Sequence, residues 1–366
     1  MRKGIEKNRY VSKLLHYLYA ILAVGIALSI CFLATVLLPK LQSKQDETLP
    51  GTYKDKYGIQ GLQVGKQLQK VPDRDDEEYI YFSDRILKKF KYSKEANTFT
   101  ANTINDLMDS IPDTISKYTI LLPSRVTYEE SALVYSDNSL DSIHEIYGQL
   151  SDQIIPIDAD AALKEHSEEY IYLRTDSDIT SLAAYYISKE FCKSKGLEPV
   201  DINSYKEYKF EGFKGVYTLL ENSSIPETAN DYISYYLKED SSNWETVTVR
   251  RKNDTYETFE TPSIALSRRG VNIFIAGEFS HSILEGDKTN GKTLLLIGDS
   301  SAKKLAVWLT PYYEKVYLIG TKRYQGGEEG FEKIFKDYQI TDVILTEEAD
   351  NFGESVYNGK IKEFTP

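Results

Sequence analysis

Lys292 to Leu309 reads KTLLLIGDSSAKKLAVWL. Five consecutive apolar or β-branched residues, TLLLI, give way at Gly298-Asp299-Ser300 to a stretch whose apolar positions recur with helical spacing. A near-continuous aliphatic strand followed at once by a helix belongs to a parallel sheet buried on both faces. The same grammar continues in KVYLIG (315 to 320), helix-like GFEKIFKDY (330 to 338) and TDVILTE (341 to 347). Upstream it recurs in YTILLP (118 to 123), helix-like LDSIHEIYGQL (140 to 150), IIPID (154 to 158), DAALKEH (160 to 166) and EYIYLR (169 to 174). Strands alternating with helices predict an α/β, doubly wound parallel sheet. Between Glu198 and Glu285, ETVTVRR, DTYETFET and VNIFIAG predict shorter strands, an inserted mixed region.

The N-terminus carries a different signal. Tyr17 to Leu38, YLYAILAVGIALSICFLATVLL, has no formal charge over its 22 residues, long enough as a helix to cross a bilayer. Arg2, Lys3, Lys7, Arg9 and Lys13 precede it against Glu6 alone, which predicts a cytoplasmic N-terminus and an exported remainder. The rival reading, a cleaved signal peptide, lacks a small-x-small site at LATVLLPKLQ. Ile30 before Cys31 argues against a lipoprotein signal. The expected organisation is therefore a cytoplasmic segment at 1–16, a transmembrane anchor at 17–38, a polar stalk at 39–76 and an extracytoplasmic α/β domain at 77–366. The localisation expected is the cell membrane, single-pass.

Cys31 and Cys192 are the only cysteines, so the exported part has no intrachain disulfide. The chain's net charge is −12 and its first forty residues are net positive by five, leaving about −17 beyond them. Such a balance repels polyanions and argues against nucleic acid as a partner. No zinc spacing, Walker loop or dinucleotide fingerprint occurs, and no metal or cofactor is expected.

At the strand-to-helix turn, Ser300 is a candidate nucleophile, because amides at a helix start face an incoming oxyanion. In the structural alternative, Asp299 or Ser300 simply caps the helix. A nucleophilic serine needs a base. His16 sits at the membrane segment, His144 lies in a surface-patterned helix and His166 follows another, which leaves His281, in AGEFSH, as the candidate. Tyrosine is abundant, 29 residues, with pairs at Tyr185-Tyr186, Tyr235-Tyr236 and Tyr312-Tyr313; exposed rings of this kind can stack on sugars.

The segment EYIYLRTDSDITSLAAYYISKEFCKSKGLEPV (169 to 200) resembles the DHHW protein family, whose signature is Tyr-Arg-Thr-Asp-His-His-Trp-Thr followed by a Gly-Ala-Tyr helix. The resemblance continues through YTILLPSRVTYEE, IIPID, ALKEH, GVNIFIAGEFS, GKTLLLIGDSSAKKLAVWLTPYYEKVYLIG and TDVILTEE, and covers most of residues 115 to 350. It implies an SGNH/flavodoxin-like fold similar to acyl esterases and to the anchored acetyltransferases that modify alginate and other envelope polysaccharides beside a membrane-bound O-acyltransferase.

By that resemblance Ser300 is the nucleophile, and Asp176 with the residue two later forms an Asp-x-His pair. That residue is Asp178; Ser177 and Ile179 stand for the first histidine and the tryptophan. Where the family has Gly-Asn in its oxyanion hole, with the Ser300 amide beside it, this chain has Gly277-Glu278, and a carboxylate there opposes developing negative charge. Asp176, Asp178 and Glu278 together would offer oxygen ligands to a hard cation; the alternative is solvated loop charge. The expectation is a catalytically impaired subunit that supports envelope-glycan O-acylation beside a membrane-bound O-acyltransferase. The alternative is an active serine acyl esterase or acetyltransferase in which Ser300 works with a substitute base, His281.

Overall fold

The computed structural model describes residues 71–220, 231–238, 245–250, 256–261, 274–275 and 280–365. The anchor read at 17–38, the rest of 1–70, and the Gly277-Glu278 pair lie outside the described residues. No helix among the described residues is long and apolar enough to cross a membrane.

Thirteen strands are named here in chain order: β1 Arg74–Asp75, β2 Tyr79–Tyr81, β3 Ile86–Lys88, β4 Ser116–Leu122, β5 Ile154–Ile157, β6 Tyr205–Glu211, β7 Tyr232–Lys238, β8 Glu245–Arg250, β9 Tyr256–Thr261, β10 His281–Glu285, β11 Thr293–Gly298, β12 Lys315–Gly320 and β13 Ile340–Glu348. The α-helices are α1 Lys94–Asp109, α2 Ser139–Tyr147, α3 Ala159–Lys164, α4 Ser181–Lys195, α5 Ser300–Leu309, α6 Gly327–Asp337 and α7 Asn358–Lys362.

An eight-stranded sheet runs β5-β4-β13-β11-β12-β10-β8-β9. The five strands from β5 to β12 pair in parallel, and β10, β8 and β9 extend the sheet antiparallel. Successive residues of β11 serve opposite faces: Leu294 and Leu296 enter a core with α3, α4 and α5, whereas Leu295 and Ile297 enter one with α1, α2, α6 and α7. All four are fully buried, at roughly 1.5–3 kcal/mol each, which is why the aliphatic run lies mid-sheet. The α/β architecture with a parallel-rich central sheet is therefore as the sequence indicates. Within the mixed region, β8 and β9 continue the sheet, while β6 and β7 pair with each other as a separate two-stranded sheet.

Three expectations are corrected. EYIYLR does not join the sheet: Leu173 donates its amide to the Asp178 carbonyl at 3.0 Å and Thr180 donates to Ile171 at 2.9 Å, folding the chain back around a single Tyr172–Ile179 bridge. The Asp176 carboxylate accepts from the next backbone amide, a local bond that favours that turn over a strand. Phe274 and Ile275, the described residues of VNIFIAG, form a buried turn. Strand pairing also begins at β1, inside the range read as stalk, where the Asp73 amide donates to the Tyr81 carbonyl at 2.8 Å.

Candidate active site

The site forms at the carboxyl ends of β11 and β13, where ligands of open parallel sheets bind. Gly298 allows it to be compact. A Cβ there would lie 2.5 Å from Thr346 Cγ2 and 2.7 Å from Ala302 Cβ, so only glycine lets α5 start this close to β13. Asp299, not Ser300, is the N-cap, accepting from the Ser301 amide at 3.4 Å, and Asn351 Nδ2 donates to its other oxygen at 3.0 Å. Ser300 is the first helical residue and is half-buried, its hydroxyl left for other work.

That hydroxyl donates to Asp178 Oδ1 at 2.5 Å. Asp178 arrives from the return limb of the 172–179 turn, and its Oδ2 accepts from Lys304 Nζ at 3.0 Å. Lys304 is four residues after Ser300, hence on the same side of α5, with its side chain 1% exposed and that of Asp178 6% exposed. Burial pushes the Asp178 carboxyl up, but the Lys304 charge and the bonds from Ser300 and Lys304 outweigh it and hold the acid below its usual range.

Asp176 sits at the tip of the turn, half-buried. Its oxygens accept from the Ser177 amide at 2.9 Å and the Val216 amide at 3.1 Å. Burial and then the Asp178 charge raise it to about 6. Gly215 makes the clasp possible, because a Cβ there would be 2.2 Å from the Thr175 carbonyl oxygen. Behind it, buried Asp231 accepts from the Thr175 amide at 2.8 Å, from the Thr175 hydroxyl and from the Tyr170 hydroxyl, pinning the motif to the start of β7. Ser301 donates to Glu348 at the end of β13; burial, then the charges of Asp299 and Asp178, raise Glu348 well above the usual carboxylate range. Asp299 is raised by burial and then by Asp178. Among these acids, Asp178 is the one the structure keeps ionised most strongly, because Lys304 faces it.

His281 is not brought to Ser300. It opposes Ile319 of β12, which opposes Ile297 of β11, so two strand spacings, roughly 10 Å, separate His281 from the strand that carries the serine. Its ring stacks on Tyr317 at 5.1 Å in the core on the face away from α5, and is 3% exposed. His166 pairs with Glu169 at 2.7 Å and stacks on Tyr186. No group of three metal-ligating side chains occurs among the described residues.

The geometry thus brings Asp178 onto Ser300 with Asp176 two residues away on the same turn, leaves His281 apart, and adds Lys304, which the sequence reading did not single out. The signal for it was the four-residue spacing from Ser300. Chemically, the serine hydroxyl is bonded to a carboxylate whose proton affinity has been reduced, so the Ser300 proton has an anchored acceptor of low basicity.

The family model described as DHHW protein matches residues 64–319. A DHHW family protein from Eubacterium siraeum DSM 15702 is similar at 22% identity and a TM-score of 0.67, over 78% of this chain and 96% of that one. Bacillus cereus PatB1 is similar at 14% identity and a TM-score of 0.63, over 78% of this chain and 99% of that one. The O-acetyltransferase domain of Pseudomonas putida AlgJ gives 11% identity and a TM-score of 0.44, over 74% and 90% of the two chains. No curated protein matches the chain.

Proposed function

The chain belongs to the DHHW protein family, and from that premise we propose that it is a membrane-anchored, extracytoplasmic subunit supporting O-acylation of an envelope polysaccharide, with its own seryl site impaired in acyl transfer. The observation that carries this reading is the state of position 178. In place of an imidazole stands a carboxylate that Lys304 neutralises at 3.0 Å and that already accepts the Ser300 hydroxyl. A base of depressed pKa takes a serine proton poorly, and losing the base from a nucleophile–base unit removes most of the unit's catalysis. The frame is nonetheless kept: the glycine at 298, the capped helix start and the clasped turn at 176–178 hold Ser300 half-buried against Asp178. A preserved but weakly reactive seryl site suits binding or presentation of glycan to a membrane-bound O-acyltransferase. The charge-free stretch at 17–38 is the proposed anchor.

A second reading draws on the short Ser300–Asp178 hydrogen bond, with Asp178 itself as base in an active esterase or acetyltransferase. The two separate on turnover of a chromogenic acetyl ester by the full chain and its Ser300→Ala variant. The impaired-subunit reading expects no Ser300-dependent turnover and co-purification of a membrane acyltransferase from native membranes. Turnover by wild type that disappears in Ser300→Ala would overturn it.

A further inference from the structure

The tyrosine pairs noted in the sequence meet different fates. Tyr185, Tyr186, Tyr236 and Tyr313 are buried, so they are core rather than platform. Tyr235 is half-buried and faces Tyr208 directly across the two-stranded β6–β7 sheet. Their rings lie 5.4 Å apart and 15° from parallel, and Tyr208 is 37% exposed. We propose that this stacked pair is a glycan platform, where an uncharged pyranose chain lays its C–H face on the Tyr208 ring.

Four observations carry the assignment. Tyr235 covers one face of Tyr208 and holds the ring in place, so little side-chain freedom is lost when a ligand covers the other. Lys206 Nζ stands over the Tyr208 ring, 5.2 Å from its centroid, on a flexible stem that can move off the ring and donate to a sugar hydroxyl. β6, YKEYKFE, interleaves aromatic with charged side chains and has no aliphatic one, so it offers ring faces flanked by polar groups. The charge beyond the first forty residues is strongly negative, which disfavours a polyanionic chain and leaves a neutral or N-acetylated one.

The platform is also connected to the Ser300 site. Asp231, which pins the Thr175–Asp176 backbone, immediately precedes β7, and Tyr235 follows it by four residues, roughly 13 Å along an extended strand. A polysaccharide passing Ser300 therefore has a second hold on the hairpin whose β7 begins beside Asp231. The assignment rests on the polysaccharide reading proposed above and gives that reading a ligand class and a direction.

The test is calorimetric titration of the full chain in detergent with hexa-N-acetylglucosamine, a neutral β-glucan hexasaccharide and a polyglucuronate hexasaccharide. Binding of at least one neutral hexamer is expected, weakened about tenfold in Tyr208→Leu and kept in Tyr208→Trp, because loss of a stacked ring contact is worth up to about that factor. A thermal melt of Tyr208→Leu confirms that the hairpin still folds. Binding to neither neutral hexamer, binding to polyglucuronate alone, or equal binding by Tyr208→Leu overturns the platform. The impaired-subunit reading stands or falls on Ser300-dependent ester turnover, a separate readout.

Discussion

Replacing Lys304 with methionine keeps an unbranched stem of similar reach and removes only the ammonium. In the native site that ammonium lies 3.0 Å from Asp178 Oδ2, with both side chains almost wholly out of water. Breaking a buried pair from one side costs about 3–5 kcal/mol. Asp178 keeps its bond from Ser300, so the lower end, about 3 kcal/mol, is expected. At roughly 2–4 °C per kcal/mol for a large domain, that is a fall in Tm of about 6–12 °C at pH 7. The loss also acquires a pH signature. Without Lys304, burial dominates and the folded pKa of Asp178 moves above its unfolded value, so the fold prefers the protonated acid. The unfolded state then binds fewer protons than the folded one, and stability falls as pH rises. The deficit of Lys304→Met is accordingly largest at pH 7–8 and shrinks towards pH 4. Adding Asp178→Asn should recover more than half of it at pH 7, since no buried charge is then left alone. Thermal and urea melts of the full chain in detergent across this range read the effect. A Lys304→Met protein within about 1 kcal/mol of wild type at pH 7, with no pH dependence, would refute the reasoning and place Lys304 among ordinary surface lysines.

Asp176 has the opposite sign from native Asp178: its folded pKa, about 6, exceeds the ordinary value of 3.8, so its contribution declines as pH rises between those two values. Asp176→Asn should raise Tm at pH 7 and leave it unchanged below about pH 4; an equal shift at both pH values contradicts the assignment. Gly298→Ala drives a methyl against Thr346 and Ala302 and should cost about 1–3 kcal/mol by urea melt, with part returned when Thr346→Ser removes the nearest methyl. A Gly298→Ala protein as stable as wild type would show that α5 can shift freely.

Much of this architecture was legible because aliphatic runs such as TLLLIG and VILT admit one efficient burial, between two helical layers. The glycine-acid-serine turn was legible for the same reason: a parallel strand must end and a helix must begin there. EYIYLR was misread because its alternation mimics a strand, while the features that fold it back, Asp231 and the Gly215 clasp, lie some forty to sixty residues downstream. Lys304 was not singled out in the sequence because a lysine on an amphipathic helix is ordinarily solvated; the carboxylate brought by the 176–178 turn makes its burial tolerable. His281 was favoured for its position in sequence, which carried no information on which face of the sheet its side chain enters. The period-two alternation of β10 settles that: His281 shares a face with Ile283, opposite α5.

In the impaired-subunit reading Ser300 lacks an adequate base, and Asp178→His restores one. An imidazole there would meet the Ser300 hydroxyl, with Asp176 two residues away to orient it and the Lys304 charge favouring its neutral, proton-accepting form. A general base is worth about 10²–10⁴ in rate. Hydrolysis of a chromogenic acetyl ester by the full chain in detergent, after a melt confirms folding, should rise at least about tenfold over wild type in Asp178→His and vanish in Asp178→His/Ser300→Ala. Ser300-dependent turnover by wild type that equals or exceeds that of the folded Asp178→His protein would contradict the account.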